Sequence, residues 1–529
     1  MKKLAILSLL TFSCTLLFSQ HWKQYPYIPE GSFIGFPSDE GRHAGEPVEW
    51  WYTTGHLEGE STGRSYSYML TYFYYPVNTV DGFRIFNMSD DGSGSFLTDT
   101  KALVFTRLST DSLDIEADLV PGGTESWSNI TDAGGYAIPF SYQLSAATEN
   151  ASLDLMYDGY KPPLILADSG LLKQGAGSYT YYYSQTGNQV SGSVSFNGIT
   201  ENVSGTAWID RQYGTTNPSE GIEYEWFSIQ LSNGMDINVN NIFTADNNIP
   251  ETLEYRLLCA YVDEDTQYTD SSFEITRLAY AYVPDSMRCY SQKWRLSSAI
   301  YDIDLIITAL HHDYEVPLPF RFYEGPVSIS GTVDGSPVEG KGFAELLHSY
   351  EKPDIDISPL TNIRDESTEL KWRILNPDHG NPLKYDLEYS TDNRQTFSSI
   401  ARNLDDTLYY WNSSALPEEN DIWLKVRAYS VDSTLCDSSI VKLSLTTGIE
   451  TTDHRSSVRL FPNPGNGRFT VKGENMQMIE VYDVKGRKVF TSPVNDLVFD
   501  IDVSNEPAGL YFVKVFTDRG FMTRRVIIE

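Results

Sequence analysis

The run Trp208-Ile209-Asp210-Arg211-Gln212-Tyr213-Gly214 carries the residues best suited to chemistry in this chain. Asp210 follows Trp208 by two positions, so on an extended strand both side chains leave the same face. A carboxylic acid sunk among aromatic rings holds its proton, because desolvation disfavours the charged form. Aromatic faces also attract a nearby cation. Such an acid, walls that tolerate a carbocation, and a water are what the hydration of an unactivated alkene requires. Asp210 is therefore the candidate acid, and Trp208, Tyr181 and Tyr183 are candidate wall residues. A plainer role competes, in which Asp210 pairs with Arg211 or caps a turn.

Glu49-Trp50-Trp51-Tyr52 is the second such run. Alternation sends Trp50 and Trp51 to opposite faces, one into a core and the other to a cavity or domain interface. A buried Glu49 needs a partner. Arg211 is the expected one, in an ion pair more structural than catalytic. Glu49, Trp51 and Arg211 thus join the candidate binding residues. His43 and His56 read as hydrogen-bonded structural residues. His311 and His312 point to opposite faces of a strand and cannot readily share a metal. The sequence has no His-Glu-x-x-His, Cys-x-x-Cys, Gly-x-Ser-x-Gly or phosphate-loop motif. No metal or cofactor is called for, and a Ser-His-Asp hydrolase has no support.

The elements that must position these residues are strands. Helical periodicity is nearly absent, and short alternating runs such as Ser67 to Phe73, Ser191 to Phe196 and Val327 to Val333 recur between Gly, Asn-Gly and Asp-Gly breaks. An internal repeat organises them. Ser191-Gly-Ser-Val, Asn197-Gly198 and Val203 to Asp210 recur as Ser330-Gly-Thr-Val, Asp334-Gly335 and Val338 to Glu345. The openings match as well, Glu49-Trp50-Trp51-Tyr52 against Glu225-Trp226-Phe227-Ser228. Glu345 thus stands in the second unit where Asp210 stands in the first, which favours a structural role for both. The fold class is all-β: two β-barrels over 21–215 and 216–352, followed by two small β-sandwich modules.

The flanks speak for export. Lys2 and Lys3 precede an apolar run from Leu4 to Phe18, and Ser19 is a plausible cleavage point, so residues 1–20 read as a signal peptide. That run is too short for a comfortable membrane span, and no later stretch is long enough, so no transmembrane span is expected. A net charge of −33 repels phosphate backbones and argues against nucleic acid. Cys259, Cys289 and Cys436 make no disulfide framework, although a Cys259–Cys289 bridge is possible.

Residues 353–447 hold Glu369 to Trp372, Tyr385 to Tyr389 and Trp423 to Tyr429 as alternating strands. This segment resembles a fibronectin type III module, which more often spaces or presents a neighbour than performs chemistry. A polar linker at 448–457 leads to Leu460-Phe-Pro-Asn-Pro464, Gly467-Arg-Phe469, Ile479 to Asp483, Lys485-Gly-Arg487, Pro507-Ala-Gly-Leu-Tyr511 and Arg524 to Glu529. Residues 458–529 resemble the sorting domain read by the type IX secretion system. That likeness implies the secretion machinery as a partner and a mature protein that is secreted or held on the outer surface.

Over residues 38–352, His43-Ala-Gly-Glu-Pro-Val-Glu49-Trp50-Trp51-Tyr52, Gly170-Leu-Leu-Lys173, Trp208-Ile-Asp210-Arg211, Glu225-Trp226-Phe227, Tyr323-Glu324-Gly325 and Gly340 to Leu346 resemble the AttH/carotenoid 1,2-hydratase-like family. The resemblance implies two lipocalin-like barrels, with Asp210 at the place of the hydratases' catalytic aspartate. Relatives usually continue Asp-Arg-Glu-Trp. Here Gln212 and Tyr213 stand instead, which removes one candidate second carboxylate. The expected function is to bind an apolar small molecule or lipid, in or between the barrels, with acid-driven hydration, isomerisation or cyclisation of a polyene or terpenoid as the best candidate reaction. A non-catalytic surface protein binding a glycan or protein is the alternative, and a glycan-active hydrolase a further one.

Overall fold

A computed structural model describes residues 20–174, 177–215, 222–318, 321–358, 365–417, 421–443, 458–473, 475–494, 496–517 and 520–528. The segment before Gln20, read from the sequence as a signal peptide, and residues 448–457, read as a linker, lie outside them. Among the described residues the elements are strands, apart from the short 3-10 turns Ser38–Glu40 and Ile300–Asp302. None of their helices is long and apolar enough to cross a membrane.

The first sheet closes on itself. From Val48–Gly59 its ladder runs through Ser65–Val77, Val80–Asp90, Ser95–Leu108 and three further strands to Ala151–Gly159. That strand pairs with Ser178–Phe196, which pairs with Ile199–Gly214, and the latter returns to Val48–Gly59. Ten strands thus form a barrel whose interior is filled by Trp51, Tyr68, Tyr72, Phe86, Trp127 and their neighbours. The segment before the first strand packs into the same core through Trp22, Ile34 and Phe36. Glu40, buried there, accepts hydrogen bonds from Tyr25, Tyr142 and Asn129, and burial pushes its carboxyl up to about 7.

The second sheet repeats the curl without closing its ladder. Its order begins at the edge strand Thr266–Asp270 and passes through Asp236–Phe243, Glu223–Leu231, Ser336–Leu346 and Phe322–Val333 to the other edge, Phe273–Tyr282. Phe227, Ile229, Ile237, Trp294 and Leu305 fill its concave side. The repeated hairpins turn as their residues require: Asn197 and Gly198 have φ of 49° and 82°, and Asp334 and Gly335 of 49° and 69°. Both are two-residue turns with positive φ at each position, the geometry that Asn-Gly and Asp-Gly favour.

Two small sheets, one containing Thr368–Ile374 and the other Leu383–Ser390 and Ile422–Ser430, share a core of Leu370, Trp372, Leu387, Leu424 and Val426. This module does more than space its neighbours. The Arg277 N–H of the Phe273–Tyr282 edge donates to the Gly380 carbonyl at 2.9 Å, and the Tyr280 N–H to Asp432 Oδ2 at 2.7 Å. A Cβ on Gly380, whose φ is +71°, would lie 1.8 Å from Arg277 Nη1 and 2.5 Å from the Ile275 carbonyl oxygen. Only glycine fits there. The module therefore covers the open edge of the second sheet.

The C-terminal unit is a separate sandwich of three- and four-stranded sheets around Phe469, Val471, Val481, Val513 and Val526. The sequence left a Cys259–Cys289 bridge open and placed His311 and His312 on a strand. Cys259 and Cys289 are free and lie in separate apolar clusters, Cys259 with Leu164 and Tyr261, Cys289 with Tyr350 and Leu435. His311 and His312 lie beyond the strand Ile303–Ala309 rather than in it, and His311 Nε2 faces the Asp91 carbonyl at 3.0 Å.

Candidate functional site

The barrel and the curled sheet meet on their outer faces. In Val48–Gly59, Glu49, Trp51 and Leu57 turn inward, so Trp50 and Tyr52 turn outward. The same alternation in Ile199–Gly214 buries Ile209, Arg211 and Tyr213 inside and presents Trp208, Asp210 and Gln212 outside. Opposite them, the second sheet presents Tyr224, Trp226, Asn240 and Glu345. The cleft between these walls has a cavity volume of about 90 Å³, and Met69, Phe73, Ile85 and Phe322 make much of its lining apolar.

Asp210 is the best-anchored polar group in the cleft. Its Oδ2 accepts from the Tyr182 hydroxyl at 2.5 Å, and its Oδ1 from the Ser184 hydroxyl at 2.5 Å and from Trp208 Nε1 at 2.7 Å. Those donors are themselves fixed. The Tyr182 oxygen accepts from Trp226 Nε1 at 2.9 Å and Asn238 Nδ2 at 2.8 Å, so its proton must point at Asp210. Burial pushes the Asp210 carboxyl up to about 7; its three donors oppose that shift, and the negative Glu345 adds to it. A group poised there can hold and release a proton at neutral pH.

Glu324 and Glu345 occupy the facing wall, directly opposite each other on adjacent strands. Tyr52 donates to Glu324 Oε1 at 3.0 Å, and the Tyr224 hydroxyl donates to Glu345. Burial, reinforced by the Glu345 charge, drives the Glu324 carboxyl well above the ordinary range, and burial raises Glu345 as well. Burial keeps Tyr52, Tyr182 and Tyr224 neutral, so they act as donors. Around the cleft, Trp208 and Tyr52 meet the Trp226 ring edge-on, at 6.5 and 5.4 Å between centroids.

Of the residues singled out in the sequence, Asp210 and Trp208 come together here. Tyr181 and Tyr183 do not: they face the barrel interior, Tyr181 stacked on Tyr213 and Tyr183 against Phe36. The outward residue of that run is Tyr182. Trp51 also lies inside, under the Arg211 guanidinium at 4.0 Å, and its neighbour Trp50 lines the cleft. Glu49 is fully buried, paired with Arg211 and Arg42, and it accepts the His43 N–H at 2.8 Å. Coulombic attraction to Arg211 and Arg42 helps hold its carboxyl below the usual range. The pair braces the strand that carries Trp50 and Tyr52. Among the described residues no cluster of His, Cys, Asp and Glu could hold a metal ion.

Comparison with known proteins agrees with this architecture. Residues 27–350 match the AttH-like family, and residues 459–529 match a secretion system C-terminal sorting domain. The kievitone hydratase of Fusarium solani subsp. phaseoli is 23% identical over 367 residues, which span 63% of this chain and 94% of that protein. An AttH structure from Nitrosomonas europaea superposes with a TM-score of 0.51 at 20% identity, covering 62% of this chain and all of the other. The kievitone hydratase structure from Nectria haematococca gives 0.48 at 18% identity, over 61% of this chain and 98% of that one. The sorting domain marks the protein for export to the cell surface or beyond. The chain belongs to the AttH-like family.

Proposed function

We propose that this exported protein binds an apolar small molecule in the cleft between its two sheets and adds water to a carbon–carbon double bond of it. The observation that carries this reading is Asp210, a carboxyl held by three donors among aromatic walls and poised near neutrality. Its proton passes to one alkene carbon, where the π electrons form the new C–H bond. The neighbouring carbon becomes a cation, attracted by the faces of Trp50, Tyr52 and Trp226. A water oxygen then forms the C–O bond and gives up a proton. The name of the Fusarium relative, a hydratase, supports the same class of reaction. A polyene or terpenoid fits the apolar lining best.

The test incubates the full chain with terpenoid alkenes in water carrying a heavy oxygen isotope, followed by mass spectrometry. An alcohol bearing the heavy oxygen is the expected product. Recovery of every alkene unchanged, although each binds, would reduce the protein to a carrier.

A further inference from the structure

Water cannot add to a cation without losing a proton, and Asp210 lies on only one wall. The other wall holds a built acid–base pair. Glu324, on Phe322–Val333, and Glu345, on Ser336–Leu346, face each other across the ladder. Directly opposed residues have Cβ atoms about 5 Å apart. Two buried carboxylates at that spacing cannot both be charged. Neither has an ion-pair partner among the described residues, and Tyr52 and Tyr224 each supply one donor. Glu324 is 1% exposed, and its Oε2 is buried with no donor directed at it. Glu345 keeps part of its surface open to the cleft. The proton of the pair therefore belongs on the inner glutamate and the charge on the outer one.

We propose that Glu345 is the base of this site and that Glu324, protonated, is the residue that positions it. The assignment rests on the hydration reading and completes it. Asp210 protonates carbon; as the water oxygen bonds to the cation, the Glu345 carboxylate takes a proton from that water. Glu345 is then neutral and Asp210 anionic, and a proton returned through solvent from one to the other restores both. The sequence repeat matches Glu345 with Asp210, and each lies on the closing strand of its hairpin opposite an aromatic residue of the opening strand, Trp226 and Tyr52 respectively. The raised titration of both glutamates agrees with a shared proton.

Two probes of equal chain length test this on the full protein: N,N-dimethyldodecylamine, whose ammonium mimics the cation, and neutral 1-dodecanol. Calorimetry should detect both on the native chain. Glu345→Gln should weaken the amine tenfold or more and leave dodecanol unchanged. Glu324→Gln, whose amide still donates to Glu345, should bind the amine as before. Amine binding that is indifferent to Glu345→Gln, with dodecanol still bound, overturns the base assignment and spares the apolar cleft. If neither probe binds the native chain, the hydration reading falls and takes this one with it. Infrared titration of the unmutated chain depends on no variant. A protonated-carboxyl band should survive above about pH 7, where Asp210 and Glu40 ionise, and its absence overturns the shared proton.

Discussion

The two sheets solve one problem in different ways. Each begins with a Glu-Trp pair, and each buries that glutamate against an arginine. In the closed barrel, Arg211 comes from the adjacent strand, opposite Trp51, and the N-terminal segment adds Arg42. In the open sheet, Glu225 pairs with Arg277 on the far edge strand, with Tyr350 donating at 2.9 Å. Arg277 Nη1 in turn donates to the His379 carbonyl at 2.8 Å, on the following module. His348 lies between Glu223 and Asp378, and these carboxylates lift it to about 9. Both glutamates find an arginine within their own sheet; the closed barrel adds Arg42 from the N-terminal segment, and the open sheet's arginine borrows its support from the following module. The cleft walls differ in parallel: Asp210 has three fixed donors, and Glu345 has one donor and a second carboxyl.

Breaking the first wall should have the largest effect. Asp210→Asn keeps the shape but removes the proton, and turnover should drop by roughly 10²–10⁴, the usual worth of a positioned acid. Dodecanol should still bind. Next comes the borrowed edge. Glu225→Gln leaves Arg277 buried without its counter-charge and should cost about 3–5 kcal/mol of stability, read as a lowered Tm. Gly380→Ala should destabilise in the same direction by displacing Arg277. A melting curve unchanged by either variant would mean that the two halves are not braced differently.

The pH profile sharpens the contrast between walls. Asp210 must be protonated to act, and its folded-state value lies near 7. The rate should therefore fall about tenfold per pH unit above that point, and fall again at acid pH once Glu345, the base, is protonated. Tyr182→Phe should have the smallest effect. It removes one donor that favours the Asp210 anion, so the falling limb should move to higher pH, by a unit or less, with a modest loss of rate. A shift to lower pH would mean that Tyr182 does not serve Asp210.

Much of the scaffold was legible. Two-residue alternation placed Trp208 beside Asp210, and the need of a buried Glu49 for a counter-charge pointed to Arg211. The tyrosine run was not legible in phase. Tyr181, Tyr182 and Tyr183 are alike in polarity, so only the pairing of Ser184 with Asp210 and of Tyr182 with Gln212 decides which one faces out. The repeat equated Glu345 with Asp210, but its significance required knowing that the sheets meet on their outer faces. Glu324 stood in the Tyr323-Glu324-Gly325 block, but its pairing with Glu345 was hidden, since a ladder partner is set by register.

The covered edge of the second sheet has a consequence for life outside the cell. The bare Phe273–Tyr282 strand would offer unpaired N–H and C=O groups to any extended chain, including another copy of itself. Beyond the outer membrane no cytoplasmic chaperone would separate such an assembly. By occupying the Arg277 and Tyr280 amides, the module turns a template for aggregation into an internal joint. The second sheet can then stay open along its ladder without exposing that template.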